Sequence, residues 1–194
     1  MKRMSLTLFL LFLCSNLVFA KGEGAPPMTA GVPTQRTCAT SKCHGDREIN
    51  MGPGEVIIKG LPPEYVPGEV YDLVIEASHA KIRTWGFQAT MADKDGNPLG
   101  TFILPDAKDL QLLDQAEYQR FSSLEFVTHT KDGLRGPRKG QSPAWTFQWK
   151  APAEAGAAGR LYVMVNAANG NRKKSGDWIY SQIAEVVPAG EAPR

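Results

Sequence analysis

Trp145-Thr146-Phe147-Gln148-Trp149-Lys150 decides the fold class. Aromatic and polar residues alternate with a period of two, the spacing at which successive side chains of a β-strand point to opposite faces. Trp145, Phe147 and Trp149 make one apolar face, and Thr146, Gln148 and Lys150 make the other. The alternation recurs in Trp85, Phe87 and Ala89 against Gly86, Gln88 and Thr90, while Tyr71, Leu73, Val74 and Ile75 supply an apolar run. These aromatics are expected to be core packing residues rather than a ligand platform. Working outward, Glu55 to Lys59, Val70 to Ala77, Thr84 to Ala92, Leu99 to Leu104, Leu124 to Thr130, Arg160 to Asn166 and Trp178 to Val187 read as further strands. Turn signals lie between them, among them Pro62-Pro63, Pro67-Gly68, Asp95-Gly96-Asn97-Pro98 and Asn169-Gly170-Asn171. The rhythm predicts an all-β sandwich. Asp106 to Arg120 departs from it: Leu110, Leu112, Leu113 and Tyr118 suit a short helix or a long loop.

The N-terminal residues set the compartment. Lys2 and Arg3 precede an apolar run from about Leu6 to Val18 and the small-residue site Val18-Phe19-Ala20, so residues 1–20 read as a cleavable secretory signal. No later apolar stretch reaches the roughly 20 residues of a membrane span. The mature protein is therefore expected to be soluble and periplasmic or extracellular. Cys14 lacks the small preceding residue that lipid attachment favours. Removing Lys2 and Arg3 brings the 22 bases level with the 20 acids, and a neutral chain gives little reason to expect nucleic acid. The basic cluster Lys131, Arg135, Arg138 and Lys139 is broken by glycines and Pro137 and reads as a solvated loop.

Residues 21–54 form an extended N-terminal segment whose Gly- and Pro-rich beginning is expected to build no core of its own; residues 55–189 make the sandwich, and residues 190–194 a tail. The segment carries the most informative stretch of the chain, Cys38-Ala39-Thr40-Ser41-Lys42-Cys43-His44. Two thiols that add to two vinyl groups, with an imidazole directly after the second, are what covalent haem attachment needs, and CxxCH is the usual spacing. Here the spacer is four residues, CxxxxCH. The same residues suit a Cys38–Cys43 disulfide in an exported protein, with His44 on the surface. A zinc site would be one ligand short.

Gly24-Ala25-Pro26, Gly31-Val32-Pro33, Thr37-Cys38, Cys43-His44 and Met51-Gly52-Pro53-Gly54 resemble bacterial Reeler-like domains, including the choice-of-anchor V group, in which a CxxCH-type motif precedes the sandwich. The resemblance continues through Tyr65-Val66-Pro67-Gly68, Trp85-Gly86-Phe87-Gln88, Val127-Thr128-His129-Thr130, Trp145 to Pro152 and Ser175-Gly176-Asp177-Trp178-Ile179-Tyr180, covering nearly all of the mature chain. It implies an immunoglobulin-like, Reeler-type β-sandwich with an N-terminal haem-binding arm. One haem c would be linked to Cys38 and Cys43, with His44 as the proximal iron ligand.

A second axial ligand is usually His or Met. His129, where a strand meets the Lys131 to Gly140 loop, is the preferred distal ligand, and His79 is the alternative. Met51, Met91 and Met164 are further candidates, each equally suited to core filling. Asn166, Asn169, Asn171 and Asp177 offer oxygen ligands for calcium, but a hairpin loop needs such residues for its turns. No catalytic apparatus or phosphate-binding loop is present in the sequence. The expected function is that of an exported monohaem c-type cytochrome in electron transfer. Its partners would be redox proteins such as other cytochromes, and copies could stack as a homo-oligomer or filament. The competing expectation is a haem-free extracellular binding or adhesion module held by the Cys38–Cys43 disulfide.

Overall fold

Period-two alternation turns into two facing sheets. The computed structural model describes residues 22–40, 43–82, 84–105, 108–134, 142–171 and 173–190. Residues 1–20, read as a secretory signal, most of the tail and the arginines of the basic cluster lie outside the described residues. Strands β1 (Glu55–Lys59), β3 (Val70–Ser78), β5 (Thr101–Ile103) and β8 (Ala144–Lys150) form one sheet in the order β1-β3-β8-β5. Strands β2 (Glu64–Tyr65), β4 (Thr84–Asp93), β6 (Leu110–Leu112), β7 (Val127–His129), β9 (Gly159–Ala168) and β10 (Trp178–Pro188) form the other, in the order β2-β10-β9-β4-β7-β6. All pairings are antiparallel except β2 with β10.

The core lies between the sheets. Trp145, Phe147 and Trp149 sit opposite Ile75, Leu73 and Tyr71, which puts one apolar row on the inner face of β3 and β8. Phe87 from the facing sheet stacks on Trp145 with ring centroids 4.5 Å apart, and Phe102 meets Phe147 edge-on at 5.5 Å. Trp149 donates its indole N–H to the Leu99 carbonyl at 2.9 Å, so a large aromatic is buried without leaving its polar atom unpaired. Each such side chain contributes about 1.5–3 kcal/mol through the area it removes from water.

Three expectations need correction. The N-terminal arm, which builds no core of its own, packs on the outer face of the six-stranded sheet. Ala30 and Val32 join Ala92, Tyr118, Leu124, Phe126 and Tyr162 in a second apolar cluster. Gln88 ties the arm down: its Oε1 accepts from Thr29 N at 2.8 Å and Thr29 Oγ1 at 3.1 Å, and its Nε2 donates to the Pro26 carbonyl at 2.8 Å. Strand β4 is consequently buried on both faces, although Gln88 and Thr90 read as solvent-facing. Asp106 to Arg120 holds both an element missed and an element foreseen: strand β6, then helix α1 (Gln115–Tyr118), capped by Asp114 Oδ1 accepting from Ala116 N at 2.9 Å. The strands read as Leu99 to Leu104 and Leu124 to Thr130 shorten to Thr101–Ile103 and Val127–His129.

Candidate functional site

The arm brings Cys38, Cys43 and His44 over the sheet at a cavity of about 660 Å³. Its floor is the β4–β9 pair at Gly86 and Asn166, which lie opposite each other in register. Leu134 lies on its border together with Trp85 and Phe87, whose side chains belong to the inter-sheet core; His129 closes one side, and Lys131, Lys173 and Lys174 line it as well. Four side chains singled out from the sequence, Cys38, Cys43, His44 and His129, therefore surround one space. His79 does not line it: it sits after β3, its ring centroid 6.4 Å from that of Trp178. Met51 is exposed, while Met91 is buried in the inter-sheet core and Met164 packs beside Cys38 and Ile179 under the arm.

Local hydrogen bonds explain how a four-residue spacer still presents both cysteines and the histidine together. Thr40 N bonds the Thr37 carbonyl at 3.2 Å and Cys43 N bonds the Thr40 carbonyl at 2.8 Å. His44 N then closes on the Cys38 carbonyl at 3.1 Å, so the two ends of the motif meet. Cys38 and Cys43 are free thiols, and the disulfide of the competing expectation is not formed. Cys38 Sγ lies 3.6 Å from the Thr29 carbonyl. Burial pushes the Cys38 thiol up to about 11, with a smaller push from Cys43 and a partial offset from the Thr29 hydrogen bond.

The two histidines are held differently. His44 Nδ1 lies 2.8 Å from Asp177 Oδ2, at ion-pair distance but bent away from a straight hydrogen bond, and His44 Nε2 faces Asn166 Nδ2 at 3.2 Å. His129 Nδ1 lies 3.0 Å from Phe87 N and 3.1 Å from the Phe87 carbonyl, so the main chain of β4 orients the ring in either tautomer. Burial lowers the His129 pKa, and the Phe87 contact offsets this only in part, which leaves a neutral imidazole of the kind metals bind. A Cβ on Gly86 would come within 2.7 Å of His129 Cε1, so this strand-interior glycine is what lets the ring lie against the backbone.

The residues fit a haem. Two thiols, two imidazoles and three ammonium groups suit a flat apolar macrocycle with two vinyl groups, an iron and two carboxylates. Trp85 Nε1 and Asn166 Oδ1, both on residues that line the cavity, are buried without a hydrogen-bond partner among the described residues. Gln35 Oε1 and His79 Nε2, away from the cavity, are unpaired as well. Among the described residues, no group of three or more His, Cys, Asp or Glu that could hold a metal ion is found. The Asn166 to Asp177 residues act as turn and support: Asp177 Oδ1 accepts from Asn169 N at 2.9 Å and Asn169 Oδ1 from Asn171 N at 2.9 Å.

Sequence reasoning missed three contributors: Asp177 and Asn166 as partners of His44, and Gly86 as its floor position. Only Gly86 carried a signal, an isolated glycine between Trp85 and Phe87 in a strand pattern, which marks close approach.

The architecture is that of a reeler-type β-sandwich. The chain is similar to the reelin-N domain of F-spondin, with 18% identity, a TM-score of 0.50, and 75% of this chain and 92% of that one covered. A human F-spondin reeler domain gives 18% identity and a TM-score of 0.49 over 73% and 93% of the two chains. The cohesin CaCohA2 from Clostridium acetobutylicum gives 12% and 0.43 over 72% and 94%. No protein-family model and no curated protein matches the chain. Among the described residues, no helix is long and apolar enough to cross a membrane.

Proposed function

We propose that the chain is an exported monohaem c-type cytochrome that passes single electrons to and from redox proteins, other cytochromes among them, in the periplasm or outside the cell. One observation supports this reading above the rest. The thiols and His44 lie on the arm, His129 lies on β7, and the fold brings both to the same 660 Å³ cavity. Cys38 and Cys43 would each add S–H across a vinyl double bond, a step in which nothing is oxidised and no group leaves. His44 and His129 would hold the iron, and the bound group would supply one-electron chemistry. The chain's own part is to bind and orient: the main chain of β4 aims His129, and the lysines offer charge to the propionates.

A second reading, a haem-free extracellular binding or adhesion module, draws support from the likeness to the F-spondin reeler domain, because a shared sandwich asks nothing of the thiols. A pyridine haemochrome assay and an intact mass separate the two. The full chain is exported in a host with working cytochrome c maturation. A Soret band, sharp bands on reduction and added mass equal to one haem are expected. A colourless protein with the bare polypeptide mass, or that mass less one pair of hydrogens, refutes the cytochrome reading.

A further inference from the structure

We infer that Asp177 is a positioning residue for His44, fixing the tautomer that leaves Nε2 as the ligating nitrogen and making the ring a stronger donor to ferric iron. The inference rests on the haem reading. Asp177 is 2% exposed, and its two oxygens have separate duties: Oδ1 accepts from Asn169 N at 2.9 Å, and Oδ2 lies 2.8 Å from His44 Nδ1. The surrounding loop is pinned, since Asn169 Nδ2 donates to the Ser175 carbonyl at 3.1 Å and Gly176 N donates to Asp46 Oδ2 at 2.6 Å. The carboxylate therefore has little freedom to leave the imidazole.

A carboxylate oxygen offers lone pairs, so the Asp177 contact favours the tautomer with its proton on Nδ1. The other ring nitrogen faces the amide Nδ2 of Asn166 at 3.2 Å, a donor, so it carries the lone pair. Both neighbours select one tautomer, with Nε2 free to exchange the Asn166 contact for a metal. A carboxylate on the far nitrogen of a ligating histidine raises its basicity. Ferric iron carries one more positive charge than ferrous iron and gains more from that basicity, which lowers the reduction potential.

The test compares wild type with Asp177→Asn in the haem-loaded, full-length protein by spectroelectrochemical titration. Asparagine keeps an oxygen for Asn169 N and removes the charge. The midpoint potential should rise; a tenfold loss of ferric over ferrous preference reads as about 59 mV for one electron. A coloured variant with an unmoved or lowered potential overturns the inference and leaves the haem reading standing. A colourless wild type overturns both. Long-range proton–nitrogen NMR on the full chain made without haem gives an independent readout that does not require the variant to fold. His44 protonated on Nδ1 supports the inference, and His44 protonated on Nε2 overturns it.

Discussion

Gly86→Ala puts a methyl group where the structure has His129. The new Cβ would stand 2.7 Å from His129 Cε1 and 3.2 Å from Nε2. Ordinary carbon contacts begin near 3.5 Å, so the ring must recede by about 0.8 Å. Its Nδ1 is only 3.0 Å from Phe87 N, and a retreat of that size stretches the hydrogen bond past its useful range. Overpacking costs about 1–3 kcal/mol, and the loss of a glycine's unfolded-state freedom returns about 0.4–1 kcal/mol. The net expectation is a destabilisation of about 1–2 kcal/mol. At ~2–4 °C per kcal/mol for a chain of this size, the melting temperature should fall by about 2–8 °C. Urea unfolding of the haem-free chain, followed by tryptophan fluorescence, measures it. Gly156→Ala is the control, since its nearest neighbour would be 3.5 Å away and it should stay within about 0.5 kcal/mol of wild type. A Gly86→Ala protein as stable as that control would show that the ring does not depend on the missing Cβ.

In the haem-loaded protein, His129→Ala should convert a low-spin ferric spectrum to high-spin, while His79→Ala should leave it unchanged; the reverse pattern would move the sixth ligand to His79. Gln88→Leu should cost about 1–3 kcal/mol by leaving Thr29 N and the Pro26 carbonyl unpaired, and limited trypsin digestion should cut at Arg36 faster than in wild type. Equal digestion rates would mean that Gln88 does not hold the arm. The haem-free chain should lose stability on the alkaline side, because the folded state keeps its Cys38 proton up to about 11 while the unfolded chain releases it from 9.0. The folded form then binds more protons than the unfolded one, so stability falls with rising pH by about 1.4 kcal/mol per unit across that window. Cys38→Ala should flatten this slope in urea titrations, and an unchanged slope would assign it to another group.

Strand β8 was legible because one of its faces is wet and the other dry, so Trp145, Phe147 and Trp149 stand out against their neighbours. Strand β4 gave the right strand and the wrong outer face: Gln88 and Thr90 are polar for the arm that covers them, not for water. Strand β2, two residues beside Pro62-Pro63, and β6, three residues paired with a distant β7, are too short to show any period. At the site, Cys38, Cys43 and His44 form a local motif that could be read directly. Asp177 looked like a turn residue and is one, through Asn169; its second oxygen, on His44, depends on a contact across most of the chain that no local pattern encodes.

The docking of the arm has a consequence for timing. The arm precedes the sandwich in the chain, yet several of the groups that receive it come from the far end: His44 reaches Asn166 across 122 positions, Gly176 reaches Asp46 across 130, and Ser181 reaches Asn50 across 131. Contacts of such long range are the slow ones to form. Cys38 packs against Met164 of β9 and Ile179 of β10, so the burial that raises its pKa waits on those strands. Chemistry at that thiol can thus precede the docking of the arm.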